Sequence, residues 1–400
     1  LATPYGALVL LKIAALVALV LFGAAQRIVL IRRMAAGKAR AFAIFASIEL
    51  VIMGIASGLA AALARTPSPI PDTPPATPTP AEILTGEKLP PEPGFLDYFT
   101  MWHIDLIWLL VCAFGIFFYI AGVIRLKRRG DAWPIYRTVL WVLGLLMLAY
   151  ITNGGVNVYE RYLFSAHMFV HMALGMMVPI LLVPGAPITL AMRAIRKRGD
   201  LSRGAREWIF IAVHSRYAAF ISNPVFATVN FVGSLWLFYY TPIFRWATTD
   251  HIGHEWMIVH FLLAGYLFVQ SLIGIDPGVK RFPYPGRVGQ LLITMTVHAF
   301  FGLSLMSSTG LFLADWYGAM GRTWGPTPME DQYLGGSIAW SVGEIPNLVL
   351  MLVIAVQWSR SEERLTKRRD RNADRTGDAE LEAYNAMLAQ TAARDVKPIE

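Results

Sequence analysis

Nine apolar stretches, each close to 20 residues and separated by polar connectors, decide what this chain can fold into. They run roughly 6–29, 41–63, 103–124, 135–152, 162–183, 222–240, 252–273, 288–311 and 333–358. A helix of ~20 residues crosses a ~30 Å hydrocarbon core. In lipid, only helices and closed barrels satisfy every backbone polar group. The expected fold is therefore all-α: a polytopic membrane helix bundle of about nine transmembrane helices. Composition agrees, with 56% hydrophobic and 16% charged residues against roughly 25% charged in a soluble domain.

The formal net charge of +8 does not signal a nucleic-acid partner, because the basic residues sit in short connectors. They gather at 27–40, 125–137, 192–206, 279–287 and beyond Arg360, and the intervening connectors carry few Lys or Arg. Under the positive-inside rule this alternation places the N-terminus outside and the C-terminus in the cytoplasm of a multi-pass protein of the cell membrane. Cys112 is the single cysteine and lies in an apolar stretch, which excludes a disulfide framework and a CxxC metal clip. The first residue is Leu1 with no signal peptide before the first span, so the expectation is a fragment whose earlier part is missing.

The Pro-rich run TPSPIPDTPPATPTP at 66–80 suits neither helix nor sheet and opens an extracytoplasmic linker over 66–96. It divides a two-helix piece, 1–65, from a seven-helix unit, 97–358, and a charged, mobile cytoplasmic tail occupies 359–400. That tail ends in a short amphipathic helix with Leu381, Tyr384 and Leu388 on one face. Segment 205–221 is too polar to span and reads as an interfacial helix carrying His214 at the surface. In the two-helix piece, Lys12 and Glu49 are intramembrane charges on neighbouring helices. They either pair, or Lys12 reaches the outer surface along its own stem.

Six of the eight histidines fall near the outer ends or the middles of these spans. Ionisable groups are costly in lipid and mark function there by default. His167 and His171 lie in FSAHMFVHMALGMM, one turn apart on a shared face, with Met168 and Met172 about 100° round. His254 and His260 lie in DHIGHEWMIVH, about 120° apart, with Met257 between them. His298 comes out near the midplane, His103 opens the third span, and His251 is expected in a connecting loop. Four helices thus bring histidines to the outer half of the membrane and none to the inner half. Imidazole together with thioether sulfur is a ligand set for copper, above all Cu(I). For any one histidine taken alone, the alternative is an interhelical hydrogen bond.

Two acids complete the candidates. Glu344, in the middle of the ninth span, needs a cation, a metal or a hydrogen bond unless it is protonated. Asp331 and Gln332 open the same helix, and with Gly335 and Gly336 they read as a cap plus a packing notch. No nucleotide-binding glycine loop, nucleophile elbow or HExxH is present, so no enzymatic activity is expected. GGVNV at 154–158 carries no weight.

With FSAHMFVHMALGMMVPILLVPGAP, DHIGHEWMIVHFLLAGYLF and DQYLGGSIAWSVGEIP, the stretch from about 97 to 358 resembles the seven-helix CtaG family of caa3-type cytochrome c oxidase assembly proteins. Residues 1–66 are similar to the last two helices of a CopD copper-resistance domain. The resemblance implies supply or insertion of copper during oxidase maturation, with oxidase subunits as partners and His167, His171, His254 and His260 as functional histidines. Three readings stay open. The first is a copper-handling protein with a His/Met cluster in the outer half of the bundle. The second is a haem-binding membrane redox protein, and the third a structural subunit of a respiratory complex.

Overall fold

The computed structural model of the protein describes residues 3–35, 39–66, 77–199, 202–278, 280–377 and 379–395. It divides into two compact units, Leu1–Pro78 and Thr79–Glu400. Most of the Pro-rich run, residues 67–76, lies outside the described residues. The described residues form helices and no strand, and eight helices are long and apolar enough to cross a membrane.

The first unit is a pair of helices, α1 (Pro4–Ala35) and α2 (Ala39–Arg65). Phe22 meets Phe45 with ring centroids 5.7 Å apart. Leu10, Leu16, Val20, Leu21, Leu50 and Val51 stay exposed, as a hairpin surrounded by lipid requires. Lys12 and Glu49 are half-buried, on α1 and α2 respectively.

The second unit contains α3 (Leu106–Lys127), α4 (Ile135–Asn153), α5 (Phe164–Ala194), α6 (Pro224–Tyr239), α7 (His251–Ile273), α8 (Tyr284–Met306) and α9 (Pro328–Thr376). The short helix α10 (Ala379–Asp395) follows. The sixth expected span is helix α6 of 16 residues, about 24 Å long and short of a full crossing. Its start is set by Asn223, whose Oδ1 accepts from the Val225 amide, and by Pro224 at the first helical position.

Helix α5 is the axis of the unit and the most deeply buried of its spans. It is not regular. A helical segment Phe164–Met172 passes into a π turn, Ala173–Met177, and a second helical segment, Val178–Leu182. Pro179 explains the irregularity, because it has no amide proton to donate to the Gly175 carbonyl four residues back. That freed carbonyl lies directly against Gly265 of α7, where no side chain fits. The two helices therefore touch backbone to backbone at the level of the histidines.

Helices α8 and α9 approach in the same way. A Cβ on Gly302 would lie 3.0 Å from the Gly336 carbonyl, and one on Gly336 would lie 3.0 Å from that of Gly302. The acids at the head of α9 depart from expectation. Thr327 and Glu330 form the capping box of α9 itself. Asp331 instead reaches across to the uncapped start of α5, accepting from the Phe164 amide at 2.6 Å and from Ser165 Oγ at 2.5 Å. Gln332 ties down the preceding loop through the Phe312 amide and the Gly310 carbonyl. Gly335 makes the notch, against the Phe164 ring.

Two connectors also differ from expectation. Segment 205–221 forms two short helices, Ala205–Val213 and Arg216–Ile221, and His214 is exposed between them. The charged stretch 359–376, expected as a mobile tail, continues α9 as one helix of 49 residues. Its Glu, Lys and Arg are good helix formers once a membrane span has supplied the nucleus.

Candidate metal centre

The expected histidines occupy one end of the second unit, in two layers. The outer layer is built around Glu160, on the short helix Gly155–Glu160 between α4 and α5. Its carboxylate is 2% exposed. Oε1 accepts from Asn157 Nδ2 at 2.9 Å and lies 3.2 Å from His254 Nε2, while Oε2 has no partner. Burial raises the Glu160 pKa to about 8, against an opposing pull from the Arg161 charge. Sequence reasoning missed this residue by giving the neighbouring GGVNV no weight. Gly155 is needed because a Cβ there would strike the backbone of Asp97 and Tyr98 at 2.6 Å. The glycine lets the short helix tuck under the loop and carry Glu160 inward.

His254 sits in the first turn of α7, which Asp250 caps through the Gly253 amide. His251, expected in a loop, is the first residue of that helix. Next to it, Trp108 Nε1 donates to Glu255 Oε2 at 2.7 Å. His103 stands on the rim, 3.4 Å from Glu87 Oε1, which Arg161 also approaches at 3.5 Å. It is not part of the buried cluster.

The inner layer lies one to two turns deeper. His167 and His171 of α5 have ring centroids 5.7 Å apart. His171 Nδ1 meets the Tyr239 hydroxyl of α6 at 2.6 Å, which leaves Nε2 as the ring's unpartnered atom. His298 Nε2 of α8 lies 3.2 Å from Met172 Sδ. The His298 ring fits because α9 presents Gly343, where a Cβ would collide with the imidazole. His171 of α5 and His298 of α8 line one small space, whereas His260 of α7 lies against Trp256.

A cavity of about 10 Å³ lies among these side chains, lined by His171, Met172, Met176, His298, Phe231 and Phe261, among others. That is room for about one water-sized body. Among the described residues, no three His, Cys, Asp or Glu side chains are placed to hold a metal ion. A site here must draw on thioether sulfur, which Met172 and Met176 supply beside imidazole. This donor set suits Cu(I). Met176 was not singled out from the sequence; the π turn sets its place on the cavity wall.

The other candidates fall elsewhere. His260 stacks on Trp256 with centroids 4.9 Å apart, and its Nε2 is buried without a partner. Met168 takes a weak contact from the Tyr239 hydroxyl at 3.8 Å. Met257 is buried in the apolar core with Ile258 and Phe261. Glu344 is half-buried and takes no hydrogen-bond or ion-pair partner among the described residues. Asn347, one turn beyond Gly343 and fully buried with both amide atoms unpartnered, was also missed.

Comparison with known proteins follows this geometry. Residues 117–361 match the family model of the cytochrome c oxidase caa3 assembly factor, and residues 1–63 match copper resistance protein D. Uncharacterized proteins of Mycobacterium leprae (strain TN) and Mycobacterium bovis (strain ATCC BAA-935 / AF2122/97) are each 42% identical, over 312 and 314 residues. A protein of Mycobacterium tuberculosis (strain CDC 1551 / Oshkosh) is also 42% identical over 314 residues. Each alignment covers 77% of this chain, and the chain spans about half, 47%, of each relative. No solved structure matches. The chain belongs to the CtaG family of caa3-type oxidase assembly factors.

Proposed function

We propose that this CtaG-family chain is a membrane copper carrier, not an enzyme, and that it presents Cu(I) for insertion into cytochrome c oxidase in the plasma membrane. The observation that carries this reading is the small cavity lined by His171, Met172, Met176 and His298, with His171 Nε2 buried and unpartnered and His298 Nε2 3.2 Å from Met172 Sδ. A buried imidazole nitrogen without a partner is costly, and a soft cation there would relieve that cost. Tyr239 holds the other nitrogen of His171 and so fixes the ring.

Copper is the cargo. In this reading copper enters past His103, His251 and the Glu160–His254 pair and reaches the inner layer at His167, whose ring lies 5.7 Å from that of His171. Few soft, exchangeable ligands favour hand-over to a recipient more than a closed cage would. The matched copper resistance segment supports a copper role, and the family supports the oxidase as recipient. A space of about 10 Å³ is far too small for a porphyrin and favours copper over haem.

The test is metal analysis of the purified chain after Cu(I) loading, with an optical spectrum from the same sample. The wild type should hold copper and show no Soret band, and a His171→Ala/His298→Ala variant should lose the metal. Equal copper in both proteins, or a Soret band without copper, defeats the proposal.

A further inference from the structure

At the opposite end of the second unit, we infer that α3 and the C-terminal part of α5 form a binding site for one anionic phospholipid. Arg125, Arg128, Arg129 and Arg196 line a pocket of about 690 Å³ whose remaining walls are Ala121 and Ile124. Among the described residues, no carboxylate pairs with any of these four guanidiniums. Nearby Asp131 is engaged instead with Arg193, at 3.8 Å.

Arg129 is fixed in place. Its guanidinium forks onto the carbonyls of Arg193, at 3.3 Å, and Ala194, at the end of the helical segment Pro187–Ala194. Anchoring removes rotamer entropy that ligand binding would otherwise cost. Two helix C-termini also face this end, each worth about −0.5 charge. Against four guanidiniums they leave the pocket strongly positive, and guanidinium matches phosphate oxygens in a bidentate fork.

A basic pocket alone would accept free phosphate equally well. The second observation is that the pocket opens into an apolar groove of about 580 Å³ along the same helices, walled by Phe117, Phe118, Gly122, Leu190 and Ala191. Ala121 and Arg125 border both spaces. Gly122 keeps the groove floor narrow, since a Cβ there would already meet Leu190 at 3.3 Å. A positive pocket joined to an apolar channel is complementary to a phosphate head joined to acyl chains, and basic pockets between transmembrane helices are known to hold such head groups.

The experiment is native mass spectrometry of the full chain released from mixed phosphatidylglycerol and phosphatidylcholine vesicles. The wild type should retain one phosphatidylglycerol with a preference of tenfold or more. Arg125→Gln/Arg128→Gln/Arg196→Gln should bring that preference close to unity. Ala121→Trp narrows the junction with all charges intact and should lower lipid retention while inorganic phosphate still binds. Copper content should be unchanged in both variants, which separates this site from the copper reading. Equal retention of the two lipids by the wild type, an unchanged preference in the triple variant, or full lipid retention with Ala121→Trp overturns the proposal. So does phosphate that binds while phosphatidylglycerol does not.

Discussion

Glu160 and Met172 show how differently single residues can be read. The i, i+4 histidines and their methionines stand out in the sequence because a polar or soft side chain is conspicuous in an apolar run. Glu160 does not, because its burial comes from a glycine five residues earlier that meets a distant loop. Its raised pKa has a measurable consequence. An unfolded chain ionises this group near 4.5, whereas the folded chain holds the proton up to about 8. Between those values the native state binds the extra proton, so the contribution of Glu160 to stability is greatest below 4.5, falls as pH rises, and levels off above 8. The slope is at most about 1.4 kcal/mol per pH unit. Melting curves of the metal-free protein in detergent between pH 7 and 9, where free imidazoles are already mostly neutral, should show this decline up to about pH 8, and Glu160→Gln should flatten it. An equally steep variant removes Glu160 as the cause. The methionines give a paired test. Met172→Leu keeps the volume and removes the sulfur next to His298, so Cu(I) affinity should drop about tenfold or more with little change in melting. Met257→Leu, in the apolar core, should leave copper unchanged. Competition against a chromophoric Cu(I) chelator reads both, and equal effects contradict the placement of the site.

At the scale of helices, length and hydropathy made eight of the nine spans legible, since crossing lipid demands about 20 apolar residues whatever they pack against. What they pack against was not legible. DQYLGG suggested a cap and a notch, and both exist, but Asp331 caps α5 instead of its own helix. The π turn was equally hidden, because the pattern around Pro179 reads as ordinary apolar helix, and only the meeting of Gly175 with Gly265 shows its use. Gly265→Ala would press a methyl group into the Gly175 carbonyl. Neither backbone can yield cheaply, so the variant should lose about 1–3 kcal/mol of stability and pull His260 and Phe261 away from His171. Thermal unfolding together with copper content tests this. Gly233→Ala is the control, because a Cβ there meets nothing within 4 Å. Equal melting of the two variants refutes a tight crossing between α5 and α7.

For the whole molecule, the unequal ends of the second unit matter more than any single contact. Histidines, Glu160 and the outer loops occupy one end, and Arg125, Arg128, Arg129 and Arg196 occupy the other. This separation could be read from the connectors alone, because charge in short loops follows topology and not packing. The cavity between Met172, Met176 and His298 could not, since its walls come from helices more than 100 residues apart in the chain. From the charge bias, the expectation is that the histidine end faces outside the cell and the arginine end faces the cytoplasm. In a Cys112→Ala background, cysteines introduced at Phe95 and Lys197 probe that orientation, because both positions are exposed and lie at opposite ends. A membrane-impermeant maleimide applied to intact cells should label the Phe95→Cys protein and leave the Lys197→Cys protein unlabelled until the membrane is permeabilised. The reverse pattern would put the candidate copper cavity on the cytoplasmic side. Copper would then have to cross the bilayer to reach an extracytoplasmic recipient, and the carrier proposal would have to become one of transport.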